Sequence, residues 1–435
     1  MARGLIVTAP ASGAGKTTLT LGLLRALRNG GRRVAALKVG PDYIDPAFHA
    51  AASGAACSNL DSWAMRPAVL KAEAAAAGAG SDLVIVEGVM GLFDGAADGR
   101  GSTAEVAKMT GWPLVLVVDA SGMAASAGAL LKGFLTFDPE SRPQAVIFNR
   151  VAGPRHLALL RRAADAQGLP CLGGLPRGED LALPSRHLGL VQAGEQPELE
   201  AFLERAAERV AAHLDLAALE DMAGQVEFPL KQATAGLPPL GQRLAVARDL
   251  AFGFCYPFHL AAWRKAGAEL SFFSPLADEA PDPAADAVFL PGGYPELHAG
   301  RLADNRVFLE GLRAAAAAGS VLYGECGGYM VLGETLEDAA GESHVMAGLL
   351  PLRTSFAQRR RHLGYRRVTL AAPGPLGSAG AAFRGHEFHY ATQLADHGAT
   401  PLFACQDALG RDLAAQGARR GEVMGSFIHL IDREP

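Results

Sequence analysis

The feature that most constrains this chain is an alternation of short, β-rich apolar runs with longer helical segments. Candidate strands are Gly4–Thr8, Arg33–Lys38, Leu83–Glu87, Leu114–Asp119, Gln144–Asn149 and Cys171–Leu175. Strands separated by helices pair in parallel, because a parallel neighbour can only be reached by a crossover, so a doubly wound sheet with helices on both faces is expected. Functional side chains should then gather at the carboxyl ends of the strands. From Pro197 to about Ala223 the apolar residues Leu199, Phe202, Leu203, Val210 and Leu214 recur at helical spacing. The segment Phe228–Gly241 has the proline and glycine content of a linker. A second β/α series follows it, with Leu244–Ala247, Glu269–Phe273, Ala287–Leu290 and Val321–Tyr323. A chain of 435 residues is also too long for one ordinary core. Two α/β domains are therefore expected, over residues 1–238 and 242–435.

Bulk properties narrow the function. The apolar fraction of 49% and charged fraction of 20% suit a globular protein. A net charge of -5 argues against nucleic acid as the main partner, since phosphate binding takes a basic face. The N-terminus runs directly into a glycine-rich turn, which is the pattern of neither a signal peptide nor an anchor. No run approaches the roughly 18 apolar residues of a membrane span. Cys57, Cys171, Cys255, Cys326 and Cys405 form no C-x-x-C pair, which points to reduced thiols and a cytoplasmic protein.

The strongest local signal is Pro10-Ala-Ser-Gly-Ala-Gly-Lys-Thr-Thr18, placed between an apolar strand and the helix Leu19–Arg28. A glycine-rich turn feeding a helix offers backbone N–H groups and the positive helix end to phosphates. Gly13, Ala14, Gly15, Lys16, Thr17 and Thr18 are the expected nucleotide cradle, with Lys16 at the β/γ-phosphates and Thr17 on Mg²⁺. Pro10 stands where the P-loop pattern has its first glycine. Glu87 ends the third strand and is a candidate metal ligand, with Asp94 close behind it. The proline-bounded loop Lys38-Val-Gly-Pro-Asp-Tyr-Ile-Asp-Pro-Ala-Phe-His49 carries Asp42, Tyr43 and Asp45. These carboxylates suit a second metal position or the substrate side of the γ-phosphate, and a purely structural turn is the alternative. Asn149 and Arg177 follow strands at places that could hold an adenine base.

In the second half, Val321-Leu-Tyr-Gly-Glu-Cys-Gly-Gly-Tyr-Met330 reads as a strand, a small-residue turn and a helix. Glycines let a side chain project from such a turn, and the helix start favours a thiolate, so Cys326 is a candidate nucleophile. An oxyanion hole is expected from Gly292 and Gly293, in Leu290-Pro-Gly-Gly-Tyr-Pro-Glu296, together with Gly327. The late histidine His429 is the chosen base, and His386 and His389 stay unassigned.

These residues together resemble the cobyrinic acid a,c-diamide synthases, including the hydrogenobyrinic acid enzymes. The resemblance runs over essentially the whole chain. It is carried by T-A-P-A-S-G-A-G-K-T-T, K-V-G-P-D-Y-I-D-P-A-F-H, V-E-G-V-M-G-L-F-D-G, P-G-G-Y-P-E-L-H, E-C-G-G-Y-M and G-H-E-F-H-Y. It implies a dethiobiotin-synthetase-like ATP domain, then a flavodoxin-like class I glutamine amidotransferase domain of the triad type. It further implies that Cys326 and His429 hydrolyse glutamine, while ATP and Mg²⁺ activate the a and c acetate carboxylates of a corrin ring, with a sheltered passage for ammonia. Members of the family end in a histidine–leucine–histidine run, whereas this chain has His429-Leu-Ile431. The substrates implied are a corrinoid polycarboxylate, glutamine and ATP, with no nucleic acid or membrane partner; a homodimer is compatible with the family. The cobyric acid synthases, which amidate other corrin side chains, are the nearest alternative within the class. A partition- or Min-type ATPase is disfavoured, because the lysine it carries five places before the P-loop lysine is Ala11 here. Finally, Arg359, Arg360 and Arg361 form a basic run. Such runs are usually solvated loops, but planar guanidinium forks also suit a substrate rimmed with carboxylates.

Overall fold

In the computed structural model the first apolar run becomes the central strand of a parallel sheet, and its neighbours follow from the strand–helix alternation. The structure describes residues 2–178, 185–186, 189–228, 236–396 and 400–434. The chain divides into two compact units, one of residues 1–63 and 67–234 and the other of residues 64–66 and 235–435. Residues 229–235 of the linker-like segment lie outside the described residues.

The first unit is built on β1 (Ala2–Thr8), β2 (Val34–Val39), β3 (Ser58–Leu60), β4 (Leu83–Glu87), β5 (Leu114–Asp119), β6 (Pro143–Val151) and β7 (Cys171–Pro176). Their order is β3-β2-β4-β1-β5-β6-β7, and all neighbours along it are parallel. The strand order reverses at β1, so β1 and β4 open a crevice at their carboxyl ends, where a doubly wound sheet binds its ligands. Residues 5–7 and 84–86 are fully buried, as strands covered on both faces require. The short strand Gly224–Val226 adds to the far end of β1 in antiparallel register.

One continuous helix over 197–223 is not what forms. Helices Leu199–His213 and Leu216–Met222 are separated at Leu214 and Asp215, and the Asp215 carboxylate accepts the Ala218 N–H at 2.9 Å. A short acceptor at that position caps a new helix rather than continuing the old one. The first of the two packs along the helix Lys16–Asn29, where Arg25 is buried between Glu200 and Glu204 at 2.8 Å each.

The second unit holds a ten-stranded sheet. Its parallel part runs Glu269–Phe273, Arg243–Ala247, Ala287–Leu290, Val321–Glu325 and Val423–Ser426. The remaining strands are antiparallel, in the order Asp412–Arg420, Thr400–Asp407, His362–Leu370, Ala382–His389 and Ile428–Arg433. Phe427 alone joins Val423–Ser426, in the middle of this path, to Ile428–Arg433 at its end. The antiparallel part must therefore curl back on itself, which returns the last strand to the end of the parallel part.

Gly22 tests the packing of the two helices in the first unit. A Cβ there would lie 2.7 Å from Val210 Cγ2 and 2.8 Å from the Ala206 carbonyl oxygen. Helix propensity alone favours Gly22→Ala by about 1 kcal/mol. The clash with backbone is expected to reverse that sign, with a net loss of about 1–2 kcal/mol seen as a lower urea midpoint. A midpoint that stays the same or rises would contradict this account of the contact.

Candidate active site

The turn after β1 has the geometry of a phosphate cradle. Gly13 and Gly15 have φ of 81° and 90°, the left-handed region in which a side chain is strained. A Cβ on Gly15 would stand 2.2 Å from the Asn149 side-chain nitrogen, which donates to the Ala14 carbonyl at 2.9 Å. Asn149 therefore braces the turn from the end of β6. The helix Lys16–Asn29 begins at the next residue, so its unsatisfied N–H groups point into the cradle. Lys16 donates to Met90 O at 2.5 Å, and burial holds its ammonium below the ordinary lysine range.

Behind the cradle lies a buried ionic network. Glu87 Oε1 accepts from Thr17 Oγ1 at 2.6 Å and from Lys38 Nζ at 2.8 Å, and Oε2 faces His49 Nε2 at 2.6 Å. Lys38 also meets Asp45 Oδ2 at 2.6 Å. Burial opposes the charge on Glu87, but Lys38 and His49 outweigh it and hold the carboxyl well below the usual range. Burial likewise opposes the charge on Lys38, and Asp45 with Glu87 raise its amine above the ordinary value. Asp45 differs: burial and the Asp42 carboxylate push it up to about 6. The other ring nitrogen of His49 faces the Asp45 carbonyl at 2.7 Å. The Glu87 carboxylate and the Asp45 carbonyl therefore flank the ring on its two nitrogens. Lys38 and His49 lie in the quoted K-V-G-P-D-Y-I-D-P-A-F-H motif but had no assigned role. The signal for Lys38 was a lone charge within an apolar strand.

The other expected residues divide between turn geometry and open surface. Asp42 Oδ1 accepts the N–H groups of Ile44 and Asp45, so it shapes the start of the helix Asp45–Ser53. Asp94 is exposed and accepts the Gly91 N–H at 2.9 Å. Tyr43 is half-buried in the same loop as Asp42, and Arg177 is exposed beyond β7. The oxygens of Thr17 and Glu87, adjacent at the cradle, are a donor set that fits Mg²⁺.

In the second unit Cys326, the candidate nucleophile, follows the strand Val321–Glu325 and takes φ 48°, ψ -103°, a strained elbow. Gly328 allows the turn, because a Cβ there would lie 1.9 Å from Leu290 O. A Cβ on Gly292 would meet His429 Cε1 at 2.4 Å, His429 Nε2 at 3.2 Å and Cys326 Cβ at 3.3 Å. Cys326 and His429 thus converge on one point above Gly292. Gly293 N would be 3.1 Å from a Cβ on Gly327, so these two backbones adjoin at the same place. Sequence suggested that the following helix would lower the thiol pKa. The helix Gly327–Leu332 has only six residues, and burial, then the Glu296 carboxylate, raise the thiol instead.

His386 and His389 flank this centre. Burial, His429 and Arg366 lower His386 to about 3, so it is neutral. His389 Nε2 faces Glu387 at 3.0 Å, and Arg366 donates to the same carboxylate at 2.7 Å. Arg359, Arg360 and Arg361 are exposed, while Arg367 pairs with Glu434.

Two family descriptions divide the chain in the same way. Residues 5–191 match the CobQ/CobB/MinD/ParA nucleotide binding domain, and residues 243–434 match the CobB/CobQ-like glutamine amidotransferase domain. Fold and site together define a glutamine amidotransferase joined to a P-loop nucleotide-binding domain. The chain is 58% identical over 434 residues to the hydrogenobyrinate a,c-diamide synthase of Rhodobacter capsulatus, covering 99% of this chain and 98% of that one. It is 53% identical to the protein of that name from Rhizobium meliloti, covering 99% of each. The chain belongs to the hydrogenobyrinate a,c-diamide synthase family. No helix among the described residues is long and apolar enough to cross a membrane.

Glu387 supplies a pH test. Burial alone would raise its carboxyl, but His389 and Arg366 hold it at about 2, below the ordinary 4.5. Because the folded-state value is depressed, its contribution is complete above the unfolded value and is lost as pH falls towards 2. Glu387→Gln should cost about 3 kcal/mol near neutral pH, a gap that narrows progressively below about pH 5. Denaturant titrations at several pH values measure it, and a gap independent of pH would contradict the assignment.

Proposed function

We propose that this chain converts the a and c acetate carboxylates of hydrogenobyrinic or cobyrinic acid to amides, using ATP with Mg²⁺ in the first unit and glutamine in the second. The observation that carries this is the pairing, in one chain, of a phosphate cradle backed by Glu87 with a buried Cys326–His429 centre.

A carboxylate is a poor acyl donor because oxide would have to leave. Attack of a carboxylate oxygen on the γ-phosphorus, with ADP departing, makes an acyl phosphate whose phosphate can leave when ammonia attacks the acyl carbon. Gly13, Ala14, Gly15 and Thr18 contribute the cradle, and Lys16 stabilises charge on the transferring group. Thr17, Glu87 and Asp45 would hold Mg²⁺, which would neutralise charge on the transferring phosphoryl group. Asn149 and Arg177 border the adenine end. Asp42, Tyr43 and Asp94 would serve the corrinoid substrate, and the guanidinium forks of Arg359, Arg360 and Arg361 suit a molecule rimmed with carboxylates.

At the second centre His429 takes the Cys326 proton, and the thiolate attacks the glutamine amide carbon. Gly292, Gly293 and Gly327 receive the oxyanion. The proton leaves on ammonia, and water then cleaves the thioester to glutamate.

Cys326→Ser should abolish glutamine-dependent synthesis and keep synthesis from ammonium salts, followed by product mass. Lys16→Ala should remove both, since the charge clamp is worth several kcal/mol. Loss of the ammonium-driven reaction in folded Cys326→Ser, or its survival in Lys16→Ala, would contradict this division of labour.

Alanine at Arg359, Arg360 and Arg361 together should raise KM for the corrinoid, more at low salt, with KM for ATP and glutamine steady. An unchanged corrinoid KM at low ionic strength returns the run to a solvated loop.

A further inference from the structure

A histidine base needs a group on its second nitrogen to fix tautomer and orientation and to stabilise the imidazolium that forms. Two residues beyond His429 the chain carries Ile431, which is apolar and buried, so the neighbouring sequence provides no such group. The unit does bury several carboxylates. Glu387 is engaged by Arg366 and His389, and Asp432 by Arg66. Glu325, by contrast, places Oε2 3.6 Å from His429 Nδ1, and both side chains are almost fully buried. Its other oxygen accepts the Leu430 N–H at 3.0 Å.

We infer that Glu325 is the positioning residue of the glutamine site, holding His429 with its proton on Nδ1 so that Nε2 is left to accept the Cys326 proton. This deepens the proposed function and rests on Cys326 and His429 being the glutaminase pair. Three observations support it. The Leu430 N–H anchors the carboxylate to the backbone next to the histidine itself, so ring and carboxylate move as one. The strand Val321–Glu325 places Glu325 immediately before the nucleophile, and Cys326 N–H donates to Ser426 O at 2.8 Å, which ties the same turn to the segment leading into His429. The point above Gly292 lies nearer to Nε2 than to any other His429 atom except Cε1, with Cys326 Cβ beside it, so the ring directs Nε2 towards the thiol while Nδ1 faces Glu325. A separation of 3.6 Å is long for a hydrogen bond, and contacts of this kind tighten when substrate binds and the ring gains its proton. Burial makes the effect large, because an imidazolium formed without a counter-charge in a dry site would be strongly disfavoured.

Glu325→Gln is the informative change. Its amide oxygen can still accept from Leu430, while a donor replaces the acceptor facing Nδ1 and the charge is removed. The glutaminase kcat should fall on the order of 100-fold with KM for glutamine little altered, while ammonium-dependent synthesis stays within about twofold of the parent enzyme. A purely structural role would depress both reactions together. In parallel, ¹⁵N NMR of the parent enzyme, with the His429 signal assigned through His429→Ala, should show the proton on Nδ1 at neutral pH. If Glu325→Gln fails to fold, this tautomer measurement decides alone, and a proton on Nε2 overturns the inference. A folded Glu325→Gln with kcat within about threefold of the parent overturns it as well. Cys326→Ala and His429→Ala keep the two levels distinct. If they lose glutamine-dependent turnover while Glu325→Gln keeps it, only the role of Glu325 fails; if they retain it, the underlying pair is misassigned.

Discussion

In each unit a carboxylate is buried at the carboxyl end of a central parallel strand, and the surrounding site is organised by the need to satisfy it. Glu87 ends β4 and Glu325 ends Val321–Glu325. A carboxylate removed from water costs several kcal/mol unless donors and opposite charge meet it, so neighbouring elements must deliver them. For Glu87 the donors come from the nucleotide turn through Thr17, from β2 through Lys38 and from the helix Asp45–Ser53 through His49. One charge thereby ties three elements to the mouth of the crevice. Glu325 is met by the Leu430 N–H and faces His429, so the last strand is held against the nucleophile turn.

The two sites handle charge in opposite ways. Around Glu87 the carboxylate and the Lys38 ammonium favour their charged forms, which suits a place where phosphate oxygens and a divalent cation would be exchanged for existing partners. Around Cys326 burial favours the neutral thiol and leaves His386 neutral. In the proposed mechanism the thiolate and imidazolium form only when a proton moves from Cys326 to His429. A thiol that is inert until a base takes its proton is protected from unwanted oxidation, which follows thiolate character.

The fold was legible where pattern and burial agree. All six strands expected in the first unit form, with ends displaced by at most two residues, because a strand covered on both faces is a continuous apolar run with clear edges. Less legible were the strands after Leu352. The strands His362–Leu370 and Asp412–Arg420 carry two arginines each and are only partly buried, so neither period nor composition marks them. Helix periodicity over 197–223 likewise hid the break at Asp215, since a cap changes one residue without disturbing the apolar spacing.

By itself the sequence determined the two α/β series and the glycine turns at Gly13–Thr18 and Gly324–Gly328, and it singled out Cys326 and His429 as candidates. These depend on local chemistry: small residues permit a backbone turn, and a nucleophile and a base are rare enough to recognise. Tertiary structure alone decided what completes each site. Lys38 and His49 reach Glu87 through strand order, and Glu325 meets His429 because the antiparallel strands between them curl the chain back onto the parallel sheet. Glu325 and His429 are far apart in sequence, and no local pattern encodes their meeting. The reason is physical: electrostatic partnership depends on distance in space and on shared exclusion from water, and both are set only when the sheet closes.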